Sequence, residues 1–77
     1  MHLKRNIHAV IYPDDESGYV AVCSELHAVT QGDDLDETLA NLREAIALAL
    51  DGEDLKELGL VETPTILVTM ELETAVA

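Results

Sequence analysis

Hydrophobic and polar positions alternate near both ends of the chain, whereas a longer spacing governs its middle. The alternation over residues 3–12 predicts a first strand, because successive side chains of a strand point to opposite faces. One face carries Ile7, Ala9 and Ile11, and the other carries His8, Val10 and Tyr12. Apolar residues on both faces predict a central position for this strand in a sheet.

Turn-forming residues separate the first strand from two shorter ones. Residues 13–18 are Pro-Asp-Asp-Glu-Ser-Gly, and Gly18 can adopt a positive φ. The chain is therefore predicted to reverse into an antiparallel strand over Tyr19–Cys23, and residues 28–31 to add a third strand to this meander. Gly32 is expected to relieve backbone strain before the next element.

A helical spacing begins at Leu35. Asp34 is the predicted N-cap, and Glu37 three residues later completes a pattern similar to a capping box. Spacings of four, three, four and three residues place one apolar stripe on the helix, formed by Leu35, Leu39, Leu42, Ile46 and Ala49. Gly52 is predicted to end the helix in a left-handed conformation.

The remainder of the chain is predicted to return to the sheet. Leu55, Leu58 and Leu60 are expected to form a short helical connector, which Thr63-Pro64 separates from a last strand over residues 65–73. A helix between two strands of one sheet usually makes a right-handed crossover. The predicted fold is α+β with the order β-β-β-α-β: a three-stranded antiparallel meander, a helix on one sheet face, and a fourth strand beside and parallel to the first, in spatial order 3-2-1-4.

The composition indicates one small domain with a thin core. All 77 residues are assigned to a single domain, and a domain of this size buries only about 60 to 65% of its unfolded surface. The chain has two Tyr and no Phe or Trp, so smaller side chains must fill the core. Its single cysteine, Cys23, excludes an intrachain disulfide. We therefore expect a homo-oligomer, a dimer or tetramer, formed through a strand edge or the uncovered sheet face.

Acidic residues outnumber basic ones, with 16 Asp and Glu against four Lys and Arg and a formal net charge of −12. Such a chain repels phosphates, so no direct nucleic-acid binding is expected and a basic partner is favoured. Polar residues interrupt the N-terminus, and neither a signal peptide nor an 18-residue apolar span is evident. The sequence predicts a cytoplasmic protein without membrane contact.

Candidate catalytic groups are sparse, and we predict no enzyme activity, no cofactor and no metal site. Residues 3–12 contain no acid, whereas a metal-dependent nuclease needs several carboxylates around its cations. The acids at positions 14–16 lack the spaced ligands of a calcium loop and are predicted to form a solvated hairpin tip. The alternatives that remain would require a nuclease site built on Glu44, Glu71 and Glu73, or a zinc site built on His2, His8 and His27.

Residues 18–46, GYVAVCSELHAVTQGDDLDETLANLREAI, combine two short strands, a glycine turn and a capped helix without an obvious catalytic group. In this order they resemble the HicB-type antitoxins of bacterial and archaeal toxin–antitoxin pairs. The resemblance covers nearly the whole chain and implies a partial ribonuclease H-like fold. It also implies inhibition rather than turnover, since members of that family block small basic toxins with a double-stranded-RNA-binding-like fold that cleave messenger RNA.

The resemblance directs attention to acids near the turn and the helix start. We expect toxin contacts at Glu25, Asp33, Asp34, Asp36 and Glu37. Helix capping and the helix dipole also explain the last four. As contacts, these acids could cover the toxin's catalytic histidine or take the place of phosphates, and the sequence leaves both mechanisms open.

The chain departs from the family pattern in two ways. Leu26-His27-Ala28-Val29 stands where many relatives have Leu-Pro-Gly, and few residues follow the last predicted strand. We therefore expect no C-terminal DNA-binding domain and no direct transcriptional repression. The alternative functions are a noncatalytic oligomeric binding module without a toxin partner and a degenerate ribonuclease H-like metal nuclease.

Overall fold

Four strands and one helix follow one another in the predicted order in the computed structural model, which describes residues 2–74. The elements are β1 over Lys4–Pro13, β2 over Tyr19–Cys23, β3 over Ala28–Gly32, α1 over Leu35–Leu50 and β4 over Leu60–Met70. A 3-10 turn over Ser24–Leu26 joins β2 to β3. The strands form one sheet in the order β3-β2-β1-β4, which confirms the predicted α+β topology.

The sheet contains both antiparallel and parallel pairs. β1 and β2 are antiparallel with Val10 opposite Val22, and β2 and β3 are antiparallel. β4 runs parallel to β1, with Ile66 opposite Ile7. β1 is therefore an interior strand, as its two apolar faces predict, while β3 and β4 form the edges.

The core lies between the sheet and α1, which packs mainly on β3 and β2. Its buried hydrophobic residues are Ile7, Ala9, Ile11, Ala21, Cys23, Leu42, Ile46 and Leu60. Leu42 and Ile46 are thus the buried centre of the predicted helix stripe, and the other three stripe residues are half-buried. Thr38 is buried as well, and its hydroxyl donates a 2.7 Å hydrogen bond to the Asp34 carbonyl.

Two glycines allow the β1–β2 turn, the end of β3 and the first turn of α1 to touch. A Cβ on Gly18 would overlap the Gly32 carbonyl oxygen, and a Cβ on Gly32 would lie 2.6 Å from both the backbone nitrogen and Oγ1 of Thr38. Gly18 has φ +76, as predicted. Gly32 is outside the positive-φ region, so the expectation that it relieves backbone strain is wrong. The close approach of α1 is what requires glycine there.

The connection from α1 to β4 differs from the prediction. Gly52 does adopt a positive φ, of +78, in a turn closed by a 3.0 Å hydrogen bond from Glu53 N to Leu50 O. The predicted helical connector is wrong, because residues 55–59 form hydrogen-bonded turns. Gly59, also at φ +78, ends these turns and directs the chain into β4, where Leu60 is buried in the core.

β4 begins and ends earlier than the predicted strand over residues 65–73. Leu60 lies opposite Lys4, and Thr65 lies opposite Asn6, so five steps along β4 correspond to two along β1. Pro64 lies within this irregular stretch, where an edge strand tolerates a residue without an N–H group. Thr63-Pro64 is therefore part of the strand rather than the boundary that the sequence suggests.

The sheet face opposite α1 is not covered by any other element within residues 2–74, and we call it the outer face. Its apolar side chains are Val10, Tyr12, Val20, Val22, Val29 and Leu67, as the strand register and alternation place them. Its polar side chains are Asn6, His8, Gln31, Thr65 and Thr69. Val29 is 69% exposed and Leu67 is 57% exposed, so a considerable apolar area faces solvent.

Candidate functional site

Two acidic segments that are separate in sequence meet at one end of the sheet. Tyr19 pairs with Pro13 on one side and with Gly32 on the other. The turn before Tyr19 and the chain after Gly32 must therefore emerge side by side. This register brings the β1–β2 turn beside the β3–α1 junction, and both segments consist largely of Asp and Glu.

We call this region the acidic end, and it comprises Asp14, Asp15, Glu16, Asp33, Asp34, Asp36 and Glu37. Two shallow, open depressions lie on it, and both are lined by Asp14, Glu16 and Asp33. None of the residues that line either depression is Lys, Arg or His. The surface therefore presents negative potential without an internal counter-charge, which is the arrangement that a cationic partner would complement.

Helix α1 starts at the acidic end, and Asp34 caps it as predicted. The Asp34 side chain adopts the N-cap role by accepting a 2.8 Å hydrogen bond from the Glu37 backbone nitrogen, through Oδ1. The reciprocal bond of a capping box, from the Asp34 nitrogen to the Glu37 carboxylate, is not formed. Asp36 and Glu37 lie in the first turn, where the helix dipole favours negative charge.

Most carboxylates of the acidic end accept no hydrogen bond from the fold. Asp14 accepts from the Asp15 nitrogen at 2.9 Å, and Asp34 caps the helix. Within residues 2–74 the carboxylates of Asp33, Asp36 and Glu37 make neither a side-chain hydrogen bond nor an ion pair. Their oxygens are exposed and available to donors of another molecule.

Glu25 lies apart from the other four acids that the sequence singles out. It follows the end of β2 that is remote from Tyr19, roughly 13 Å along the strand from the acidic end. Its Oε1 accepts a 2.9 Å hydrogen bond from the His8 backbone nitrogen, and its Oε2 lies 4.0 Å from Lys4 Nζ. The expectation that Glu25 clusters with the helix-start acids is wrong. Its carboxylate instead accepts a backbone N–H of β1 beyond the end of β2, where β2 no longer supplies a carbonyl.

Charge is distributed unevenly along the molecule. Lys4 and Arg5 begin β1, and Lys56 lies in the turns before β4, whose first residue is paired with Lys4. Three of the four Lys and Arg residues are thus at the end of β1 opposite to its acidic turn, roughly 30 Å away. The acids near that end, such as Asp54, Glu57 and Glu62, therefore have basic residues in their vicinity, whereas no basic residue lines the depressions of the acidic end.

The groups that other chemistries would need are dispersed over the part of the chain that the structure describes. No three His, Cys, Asp or Glu residues among residues 2–74 are close enough to share a metal ion. Glu44, Glu71 and Glu73 are all exposed, and the Cys23 thiol is buried in the core. His8 Nε2 lies 2.7 Å from Thr69 Oγ1 on the outer face, and His27 forms the end of the 3-10 turn.

The sequence indicated one half of the acidic end and missed the other. Asp33, Asp34, Asp36 and Glu37 are together at the helix start, as expected. The acids at positions 14–16, predicted as a solvated hairpin tip, lie against them: Asp14 and Glu16 line both depressions, and Asp15 lines one. The register between β2 and β3 would have revealed this proximity. Because Tyr19 pairs with Gly32, the turn before Tyr19 and the chain after Gly32 become neighbours.

A scan against protein-family models, a search of curated proteins and a search of solved structures found no match to this chain. No helix within residues 2–74 combines the length and the apolar character needed to cross a membrane.

Proposed function

We propose that this protein is an antitoxin-like inhibitor that binds a small basic, messenger-RNA-cleaving toxin in the cytoplasm and catalyses no reaction itself. The strand order β3-β2-β1-β4 with one helix is the arrangement that the resemblance to HicB-type antitoxins implies, and it supports the proposal at the level of the fold. Fold likeness alone does not establish a function. The acidic end is the observation that carries the proposal.

The acidic end is suited to occupy an RNA-binding surface. A toxin that cleaves messenger RNA must attract phosphates with Lys and Arg, and carboxylates form charge-assisted hydrogen bonds with the same side chains. Asp33, Asp36 and Glu37 offer exposed carboxylates that accept no hydrogen bond within residues 2–74, beside those of the β1–β2 turn. We therefore favour competition with RNA phosphates over direct coverage of a catalytic histidine as the mechanism of inhibition.

The first experiment is to identify the partner and test inhibition. The protein is immobilised, exposed to lysate of its native source at low and moderate salt, and the retained proteins are identified by mass spectrometry. We expect one short basic protein whose cleavage of RNA is suppressed by this chain. If only this chain itself or unrelated proteins are recovered, the inhibitor proposal fails.

The second experiment maps the contact. A variant with Asp33→Asn, Asp34→Asn, Asp36→Asn and Glu37→Gln removes four charges from the acidic end. Asparagine is as good an N-cap as aspartate, so α1 should keep its start. We expect at least a tenfold loss of toxin affinity, measured by calorimetry, because each lost carboxylate leaves a cationic group of the toxin without its partner.

A matched control separates position from total charge. Asp51→Asn, Glu53→Gln, Glu57→Gln and Glu62→Gln neutralise four exposed acids outside the acidic end and change the net charge by the same amount. We expect this variant to lose less than about threefold in affinity, from long-range attraction that salt screens. Equal losses in both variants would show that net charge, and not the acidic end, attracts the partner.

A second candidate function is a noncatalytic oligomeric binding module without a toxin partner. The exposed apolar side chains of the outer face favour it, because they are a surface on which subunits can associate. Recovery of this chain alone from the lysate, together with a stable oligomer, would favour this second function over the first.

A further inference from the structure

The outer face differs from the rest of the surface in its lack of charge. Its side chains from Asn6 on β1 to Thr69 on β4 include no Asp, Glu, Lys or Arg, in a chain with 16 acids. At its border Lys4 Nζ lies 4.0 Å from Glu25 Oε2, and the exposed Glu71 follows Thr69 just beyond the end of β4. Half of this face is valine, leucine or tyrosine, with Val29 and Leu67 more than half exposed.

Four of the five polar side chains of the outer face bond to one another across strands, which lowers the cost of burying them. Asn6 Nδ2 donates to Thr65 Oγ1 at 2.7 Å, and His8 Nε2 lies 2.7 Å from Thr69 Oγ1. A polar group that loses water costs free energy unless it keeps a hydrogen-bond partner. Each of these two pairs keeps one hydrogen bond inside the protein, so a surface that covers them has fewer donors and acceptors to supply.

The charge pattern decides which molecule fits this face. A basic partner finds no carboxylate here and is attracted to the acidic end instead. Two copies of this chain repel each other through a net charge of −12, so they can associate only where acids are absent from both contacting surfaces. The outer face meets that condition between Asn6 and Thr69, with Glu71 at its edge, and a two-fold contact places the same patch on both subunits.

The area is sufficient for a modest dimer. Four strands about 4.8 Å apart, with roughly six residues of each contributing, make a flat footprint of about 400 Å². Side-chain relief increases the accessible area, so two copies together bury about 1,000 Å², which is the lower limit for a specific interface. The contact should therefore be weak enough to dissociate on dilution.

We propose that the outer face is a homodimer interface, in which the sheets of two copies pack face to face about a two-fold axis. The helices lie on the outside of the dimer, and each acidic end remains at the end of its sheet, free for another partner. This inference does not depend on the proposed function, since it concerns the purified protein alone.

Sedimentation velocity over a concentration series tests the interface. The wild type is expected to change from the 8.4 kDa monomer to twice that mass as concentration rises. Val29→Lys and Leu67→Lys should each raise the dissociation constant at least tenfold, because they place charge in the apolar contact. Leu48→Lys is the matched control, since Leu48 lies on α1 and is 69% exposed, as Val29 is. It should dimerise like the wild type.

Two results would overturn the proposal: a wild type that stays monomeric at millimolar concentration, or lysine variants of the outer face that dimerise as tightly as Leu48→Lys. A measurement on the unaltered protein guards against variants that fold poorly. Dilution of isotope-labelled wild type should shift the amide signals of the outer face and leave those of α1 unchanged, and the reverse pattern would exclude this face.

Salt dependence gives an independent readout. Self-association of two acidic chains should tighten as sodium chloride is raised from about 20 to about 300 mM, because the Debye length shortens and repulsion is screened. Association that instead weakens with salt would indicate a contact between unlike charges, and the apolar face would be excluded. Binding of a basic partner at the acidic end should change in the opposite direction, so the two proposals fail separately.

Discussion

His27 occupies a backbone conformation that few residues other than glycine adopt. It lies at φ 54 and ψ 36, in the left-handed region, where it closes the 3-10 turn through a 3.2 Å bond from its nitrogen to Ser24 O. A side chain with a Cβ costs roughly 1–2 kcal/mol in this region. Histidine offsets part of that cost, because the unfolded chain has fewer accessible conformations with histidine than with glycine and so loses less entropy on folding.

We therefore expect His27→Gly to raise the free energy of unfolding by about 0.5–1 kcal/mol, measured by urea denaturation. His27→Ala is the comparison, because alanine keeps the Cβ and its strain while removing the imidazole. It should lie within about 0.5 kcal/mol of the wild type. A destabilising His27→Gly would mean that contacts of the ring outweigh the backbone strain.

Glycine is required at positions 32 and 52 for different reasons: close packing at Gly32 and a positive φ at Gly52. A Cβ on Gly32 would lie 2.6 Å from backbone and side-chain atoms of Thr38, which cannot move without shifting α1. A Cβ on Gly52 would meet no other atom of residues 2–74 within 4 Å, and its φ of +78 is what opposes substitution. In urea denaturation we expect Gly52→Ala to cost about 1 kcal/mol and Gly32→Ala about 2–3 kcal/mol. Equal losses of unfolding free energy in the two variants would show that α1 can shift away from a Cβ at position 32 at little cost.

These residues also show where a sequence is informative. The positive φ of Gly18 and Gly52 was predictable, because turn composition reports local backbone geometry. The role of Gly32 was not, since it depends on how closely a later helix approaches. Glu25 was misplaced for the same reason: its partner, the His8 nitrogen, is 17 residues away in the chain.

At the level of elements, the cap of α1 links stability to the acidic end. Asp34 accepts from the Glu37 nitrogen at 2.8 Å, so Asp34→Ala should lower the unfolding free energy by about 1 kcal/mol. Asp34→Asn should keep most of the wild-type unfolding free energy, because the amide oxygen can accept the same hydrogen bond. Urea denaturation of both variants checks this. An equal loss in both would mean that negative charge at the helix start, rather than the cap, is what stabilises α1.

Most elements follow from local pattern, and the exceptions involve tertiary contacts. The alternation in β1, the turn before Tyr19 and the helical stripe are strong local signals, and all three are confirmed. Pro64 suggested a strand boundary, because proline cannot donate to a ladder. β4 is an edge strand with an irregular register at that point, so the missing donor does not interrupt it. Sequence alone does not reveal which strand will be an edge.

At the scale of the molecule, the arrangement of charge arises from strand pairing rather than from any single segment. The acids of the β1–β2 turn and of the helix start are about 20 positions apart. They become neighbours only because β3 pairs antiparallel with β2. The sequence therefore predicted the sign of the charge and part of the site, whereas the convergence that makes it a surface required the sheet.

This convergence should reduce stability at low salt, because like charges are held together more closely in the folded chain than in the unfolded one. Asp15→Asn with Glu16→Gln removes two of these charges without altering the helix dipole. We expect the variant to melt about 4–8 °C above the wild type in 20 mM salt, which corresponds to roughly 1 kcal/mol for a domain of this size. The difference should largely disappear at about 300 mM, where screening is stronger.

The control for this prediction is Glu57→Gln with Glu62→Gln, which removes two exposed acids near Lys56 and the start of β4. If repulsion is local to the acidic end, this change should leave the melting temperature unchanged or lower it slightly, because acids there are near basic residues. Calorimetry at low protein concentration keeps any dimer from adding its own salt dependence. Equal stabilisation by both pairs would show that the total charge of −12, rather than its concentration at one end, is what opposes folding.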